Sequence, residues 1–387
     1  MKRKAFEFID SQRGAMLALW ADLVNAESGS SDKPGVDAVA RKIHGILSAD
    51  GAQARIIEFE KAGNMVVATL GPERKGAPVG LLGHFDTVFP KGTTAQRPFV
   101  IKDGKAYGPG VLDMKGGVVI LLYALKALQA AGYDRRPLKV LLAGDEEVGH
   151  ADSSATEIFQ KEARGCEAAF NFETGYVDDQ IVVGRKGGGI FTMEVRGVAA
   201  HAGNAPRTGR SAILEIAHKI IEIQDLTDWE AGTTFSVGTI KGGSTSNTIP
   251  ESAAIQIDVR CVSIAAAEAR MARLQAIAAA SHIEGTRTAL SGKMVFQPME
   301  TTPDIMRLFE RVARTSVENG FSRPAPIQSG GGSDSSNSVL AGVPTICSMG
   351  VKGGRNHSPD EYAMVESLFE RCKLVVAVIL DLDQRGE

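Results

Sequence analysis

The chain has 387 residues, 43% of them hydrophobic, and its 43 basic and 46 acidic side chains give a formal net charge of −3. That size and apolar content support a large core in about two or three domains and exclude a disordered or fibrous polypeptide. Charge of both signs without a long basic run leaves no electrostatic footprint for nucleic acid or an anionic membrane, which points to a small-molecule partner.

The N-terminal stretch MKRKAFEFIDSQRGAM is basic, but acidic residues interrupt it where a signal peptide needs an apolar run. A cytoplasmic protein is therefore expected, or a periplasmic one if a presequence has been removed. The pattern then predicts helices near 5–26 and 34–50, strands near 53–59, 64–70 and 78–83, a helix over about 115–131, and buried strands in LKVLLAG and AAFNFE. Such alternation predicts an α/β architecture, a mixed sheet covered by helices, whose important polar residues collect where strands end.

From about residue 187 the order becomes strand (190–196), helix (208–224), strand (234–240), strand (252–260), helix (264–280), strand (286–295). This βαββαβ order is the split βαβ or ferredoxin-like unit, here an inserted α+β domain. A helix at 303–319, a strand in GVPTICSMG and a terminal helix at 362–382 resume the first pattern. The expected division is a discontinuous first domain, 1–186 and 297–387, around an insert at 187–296. The apolar stretches GGVVILLYAL and LVVAVILDL fall well short of the roughly 18–20 residues that span a bilayer. Cys166, Cys261, Cys347 and Cys372 are far apart and form no C-x-x-C, so any metal must bind through histidine and carboxylate.

In PVGLLGHFDTVFP the strand ends around Leu82, and His84 and Asp86 project from its rim. Residues i and i+2 share a face, which lets Asp86 accept the Nδ1 proton of His84 and leaves Nε2 for a metal; a surface turn is the plainer alternative. GPGVLDMKGG places Asp113 just before a helix, where an N-cap would also explain it. VLLAGDEEVG ends a buried strand in Asp145, Glu146 and Glu147, an unfavourable run of like charge unless a cation or solvent compensates it. FNFETG ends another strand at Glu173, and GGRNHSPDEY sets His357 in a glycine-flanked loop. Together these offer two histidines and several carboxylates from separate element ends, as a mixed N/O dinuclear zinc site requires. Nucleotide motifs are weak: Asp113 stands where a dinucleotide fingerprint needs its third glycine, SGGGSDSS lacks the Gly-Lys-Ser/Thr of a P-loop, and no G-x-S-x-G elbow occurs.

GHFDTVFP, GPGVLDMKGG, GDEEVG, NFETG, GVAAHAG, GGSTSNTIP, DVR, GGGSD and NHSPDEY follow one another along the chain. In this order they resemble the dinuclear zinc peptidase and deacylase family that includes glutamate carboxypeptidase, acetylornithine deacetylase, succinyl-diaminopimelate desuccinylase and aminoacylases. The stretch from GVAAHAG to SGGGSD is most similar to the glutamate carboxypeptidase branch. The resemblance implies two zinc ions, with cobalt or manganese as substitutes: His84, Asp113 and Glu147 for one, Asp113, Glu173 and His357 for the other, Asp113 bridging. It also implies Glu146 as general base, Asp86 behind His84, and a cis peptide between Asp113 and Met114.

The same resemblance implies that the insert is a lid and dimerisation domain, and that His201 of one chain reaches the partner's active site as an oxyanion donor. From the residues alone, His201 reads as a helix-entry residue satisfied locally. Asn247 and Arg260 are implied to hold the free α-carboxylate of the substrate, for which an arginine fork is suited; a salt bridge to a nearby acid is the plainer reading of Arg260. Carboxypeptidase relatives often carry arginine before the proline of FQPME, where this chain has Gln297, so a second substrate carboxylate is less well provided for. SGGGSDSSN reads as a loop capping the next helix through Ser333 or Asp334, and His44, His150, His218 and His282 read as ordinary residues. The expected activity is release of a C-terminal amino acid, glutamate first, from a folate-like, acyl or peptidyl conjugate. An N-acyl-amino-acid deacylase or dipeptidase is the alternative. A non-catalytic relative would have lost a ligand or the base, whereas all five ligand positions and Glu146 carry competent side chains.

Overall fold

The apolar runs VGLLGH, LKVLLA and AAFN form three neighbouring parallel strands: Val79–His84 lies between Leu138–Ala143 and Ala168–Asn171. Strands buried on both faces read as continuous apolar runs. Leu81, Leu82, Val140 and Leu141 are each fully buried, worth about 1.5–3 kcal/mol per side chain. The sheet runs in the order Gln53–Ile57, Met65–Leu70, Leu138–Ala143, Val79–His84, Ala168–Asn171, Thr345–Ile346, with antiparallel pairing of the first two making it mixed. Helix Gly116–Ala130 is buried on nearly every side and packs against the terminal helix Val365–Leu382.

A second sheet orders Val100–Lys102, Lys105–Tyr107, Tyr362–Met364, Lys352–Gly354 and Gly175–Tyr176. Here the structure departs from the helix expected from 362: Tyr362–Met364 is a strand, because its backbone pairs with Lys105–Tyr107 on one side and Lys352–Gly354 on the other. The helix expected over 5–26 is likewise two, Lys2–Ser11 and Arg13–Asn25, and Ser11 Oγ donates to Phe8 O at the break.

The computed structural model describes residues 1–383; the last four residues of the expected first domain lie outside them. The elements above belong to one compact unit, Met1–Val183 with Thr301–Gln328 and the segment from Ser333 onward. The second unit is Gly184–Glu300 with Ser329–Gly332. Its strands Gly187–Arg196, Thr234–Gly242, Ser252–Cys261 and Arg287–Phe296 and its helices Ala212–Gln224 and Ile264–Ala279 follow βαββαβ order. The four strands pair antiparallel in the spatial order second, third, first, fourth, the ferredoxin-like arrangement. Phe191, Met193 and Val195, two residues apart, bury one face of that sheet in a core with Ile216, Ile223 and Leu274, while Ile190 stays 57% exposed. No helix among the described residues is long and apolar enough to cross a membrane.

Candidate metal centre

His84 is the last residue of its strand, and its Nδ1 lies 3.2 Å from the Asp86 backbone oxygen and 3.3 Å from Asp86 Oδ1. Asp86 is fully buried, and its carboxylate accepts the Ser30 Oγ–H at 2.7 Å and the backbone N–H groups of Glu146 and Glu147 at 3.1 Å each. Burial by itself would raise the Asp86 pKa, but His84 and these donors hold it below the usual carboxylate value. One carboxylate thus orients the histidine and the backbone of both glutamates.

Asp113 is delivered by a turn that begins at Gly110, φ +73°, and contains a cis Asp113–Met114 peptide. Buried Glu361 holds that turn by accepting the N–H groups of Gly110 (3.1 Å), Leu112 (2.8 Å) and Asp113 (3.0 Å), and burial pushes its pKa up to about 7. Lys115, also buried, donates to Ala26 O at 2.8 Å and is pushed down to about 7 by burial. A Cβ on Gly117 would lie 1.9 Å from Phe172 O, so glycine lets the helix after Asp113 start against the strand end that bears Glu173. Asp113 Oδ1 is 3.3 Å from His84 Nε2, and Oδ2 is 3.2 Å from His357 Nε2 and accepts Asn356 Nδ2–H at 3.0 Å. Each oxygen therefore faces a different histidine.

All five expected ligand residues converge, as two groups sharing Asp113: His84, Asp113 and Glu173, and Asp113, Glu147 and His357, with ligand atoms within 4.8 Å of one another in each. The glutamates are exchanged relative to the expected sets. Strand register explains this: Leu82 pairs with Asn171, so His84 and Glu173, each two residues on, leave adjacent strands level with one another. Their Nε2 and Oε1 are 3.7 Å apart. Glu147 lies beyond its strand in the 3-10 turn Glu146–Val148, which carries it to within 3.3 Å of His357.

The donor set fits divalent cations. It consists of imidazole nitrogens and carboxylate oxygens, and the four cysteines are free and buried elsewhere. Glu147 Oε1 is buried with no hydrogen-bond partner, an orphaned acceptor that a cation would satisfy. Burial would depress the His84 pKa, yet Asp113, Asp86, Glu146 and Glu173 hold it well above the ordinary value. Hydrogen bonds to Asp113 and Glu147 raise His357 to about 10. Glu146 is buried and outside both groups, its Oε2 3.9 Å from His84 Nε2; burial and the charges of Glu173, Glu147 and Asp334 raise its pKa well above normal.

His150, an ordinary residue by its local sequence, is buried and uses both ring nitrogens: Nδ1 is 2.8 Å from Asp145 Oδ1 and Nε2 is 2.7 Å from Asp334 Oδ1. Burial opposes its protonation, but the two carboxylates raise its pKa well above the ordinary value. The pair thereby ties the turn of Glu146 and Glu147 to the end of the SGGGSD loop. Asp334 does not cap the following helix with its side chain; Ser333 Oγ accepts the Ser335 N–H at 3.3 Å. The Asp145–His150 spacing was visible in sequence. Asp334 ends the GGGSD motif, and Asn356 and Glu361 stand in NHSPDEY beside His357, so the motifs held the signal for these three; Ser30 comes from distant chain outside every motif.

His201, Asn247 and Arg260 lie in the second unit. His201 pairs with Thr248, and the Ala202 N–H donates to Asn247 O at 2.9 Å, so these two segments are brought together. The exposed His201 ring accepts the N–H groups of Gly203 and Asn204 on Nδ1, both at 3.1 Å, which leaves the proton of the neutral ring on Nε2. Arg260 Nε and Nη2 donate to Asp258 Oδ1 and Oδ2 at 2.9 and 2.8 Å, the plainer alternative foreseen for it. Asn247 and Arg260 of one chain are not brought together. Asn247 precedes the Ser252 end of strand Ser252–Cys261 in the chain, whereas Arg260 lies at the other end, roughly 26 Å from Ser252 along the strand.

A family model described as Peptidase family M20/M25/M40 matches residues 80–381. Carboxypeptidase G2 of Pseudomonas sp. (strain RS-16) is 29% identical over 97% of this chain and 91% of its own length. The succinyl-diaminopimelate desuccinylase of Janthinobacterium sp. (strain Marseille) is 25% identical over 81% of this chain and 89% of its own. Among solved structures, aminopeptidase PepT of Bacillus cereus ATCC 10987 has a TM-score of 0.80 at 22% identity, covering 96% of this chain and 99% of that one.

Proposed function

The chain belongs to peptidase family M20/M25/M40 and is a metallopeptidase-type hydrolase, and from that premise we propose that it releases an amino acid with a free α-carboxylate, glutamate first, from a folate-like, acyl or peptidyl conjugate. The observation that carries this reading is Asp113, whose two oxygens face His84 and His357 separately. His84, Asp113 and Glu173 would hold one divalent ion, zinc by preference, and Asp113, Glu147 and His357 a second. Bound there, such ions supply Lewis-acid polarisation of the scissile carbonyl and a lowered water pKa.

Glu146 stands beside both groups as the proton carrier. Its carboxylate takes a proton from the attacking water as the new C–O bond forms and returns it to the amine nitrogen as the C–N bond breaks. Asp86 keeps the His84 ring and the Glu146 backbone in place. The insert, 187–296, is proposed as a lid and dimerisation domain. His201 Nε2–H and Asn247 then come from the partner copy, and Arg260, released from Asp258, binds the substrate α-carboxylate. The separation of Asn247 and Arg260 along one strand supports dividing them between two copies. A cytoplasmic site of action belongs to the same proposal.

Gln297 favours keeping a second reading, an N-acyl-amino-acid deacylase or dipeptidase with the same machinery, since no guanidinium stands there for a side-chain carboxylate. Conjugates sharing one acyl group but differing in the C-terminal amino acid separate the two. Preferred release of glutamate from zinc-loaded enzyme supports the first; indifference to that residue, with strong dependence on the acyl group, supports the second.

A further inference from the structure

The turn that carries Glu146 closes on His150, whose backbone is left-handed (φ +52°) directly after Gly149 (φ +63°). A Cβ makes that conformation unfavourable, and glycine or asparagine suits such a position better. Strain of this kind persists where the contacts of the side chain repay it. The His150 N–H donates to Asp145 O at 3.2 Å and its Nδ1 is 2.8 Å from Asp145 Oδ1, so the residue next to Glu146 is held twice. On the other side of the ring, Nε2 is 2.7 Å from Asp334 Oδ1, which is itself anchored by Asn337 Nδ2–H at 3.0 Å. The ring centroid lies 6.2 Å from that of Phe159, a fully buried residue of helix Ala155–Ala163. Asp145, His150 and Asp334 are all buried.

We propose that His150 is a positioning residue for the base: its ring clamps Asp145 to Asp334, and through Asp145 it fixes the aim of the Glu146 carboxylate. This rests on the reading of Glu146 as the proton carrier. Glu146 Oε2 stands 3.9 Å from His84 Nε2, beyond a hydrogen bond, so the backbone of its turn sets where the carboxylate points. A turn of three residues, Glu146–Val148, cannot hold itself, because the few hydrogen bonds it makes do not repay the dihedral angles it fixes. It is pinned from outside at both ends. Asp86 accepts the N–H groups of Glu146 and Glu147 at the start. At the close, the Gly149 N–H donates to Glu146 O at 2.7 Å, and the next residue is the clamped His150. Reacting groups tolerate little error in placement, since a shift of about 1 Å can cost on the order of 10²-fold in rate.

The test is a double-mutant cycle on turnover of an N-acylglutamate at saturating zinc, with wild type, His150→Asn, Glu146→Gln and the double variant. Asparagine tolerates the left-handed backbone and keeps a donor for Asp145, but it falls short of Asp334. His150→Asn should lose about 10–100-fold in kcat with KM and metal content unchanged. In the Glu146→Gln background the same change should cost less than about threefold, because no base is left to aim. A loss repeated in full in that background, or a wild-type kcat in His150→Asn, overturns the proposal. Wild-type turnover in Glu146→Gln instead removes the base reading, and the proposal falls with it. Should His150→Asn fail to fold, Asp334→Asn enters the same cycle, since it weakens only the far end of the clamp. Crystals of the zinc-loaded variant give a readout independent of turnover. A Glu146 carboxylate displaced by roughly 1 Å or more, with His84, Asp113 and Glu173 in place, supports the clamp; an unmoved Glu146 overturns it.

Discussion

Asp86 Oδ1 accepts the backbone N–H of Glu146 at 3.1 Å, so the residue that orients His84 also sets the turn carrying the proposed base. An asparagine there loses one acceptor oxygen of the two that serve His84, Ser30, Glu146 and Glu147. We expect Asp86→Asn to weaken metal binding by about 10–100-fold and to lower kcat even with the metals saturated. Chelator competition and steady-state kinetics measure the two effects. A variant whose kcat recovers fully at high zinc would limit Asp86 to the histidine alone.

Glu146 adjoins Glu147 without entering either ligand group. Glu146→Gln should therefore retain its metal content and lose roughly 10²–10⁴-fold in kcat. Turnover near that of the wild type, with metal confirmed by elemental analysis, would require another base.

The histidines predict a pH dependence of metal uptake. Without metal, His357 is protonated up to about pH 10 because Asp113 and Glu147 accept from it, and His84 is held up similarly. Metals bind the neutral ring, so protons compete; affinity should rise with pH and level off as pH passes the His357 pKa. Calorimetry near neutral pH in buffers of different ionisation enthalpy should detect release of roughly two protons per chain. Release of none would mean that both rings are neutral before metal arrives.

His150 joins Asp145 and Asp334 through their Oδ1 atoms, and their buried Oδ2 atoms have no hydrogen-bond partner. Removing the ring leaves two buried carboxylates uncompensated. His150→Ala should destabilise the first unit by about 3–5 kcal/mol, seen as a lower thermal midpoint in metal-loaded protein, and His150→Gln by less. A loss below about 1 kcal/mol would assign the pair no more than the value of a surface ion pair.

If the inserts pair about a two-fold axis, each His201 completes the other chain's site. His201→Ala should keep its metals and lose about 10²-fold or more in turnover. Mixing it with Glu146→Gln under subunit exchange should restore part of the activity, because one site then combines an intact Glu146 with a partner's His201. Demonstrated exchange with no recovery would return His201 to a local role, satisfied by Gly203 and Asn204.

The amino-acid sequence by itself determined the α/β and ferredoxin-like element orders and the five candidate ligand positions. Apolar strands leave polar side chains only at their ends, which set His84, Glu147 and Glu173 at the rim, while Asp113 and His357 stand on glycine-flanked turns. Tertiary structure alone decided which glutamate stands beside which histidine, since parallel register sets His84 level with Glu173 while one 3-10 turn diverts Glu147. It also made a strand of Tyr362–Met364, whose local pattern continues the helix, and it gave His150 its second carboxylate from Asp334. These outcomes depend on contacts between segments far apart in the chain, and periodicity reports only on neighbours within a few residues.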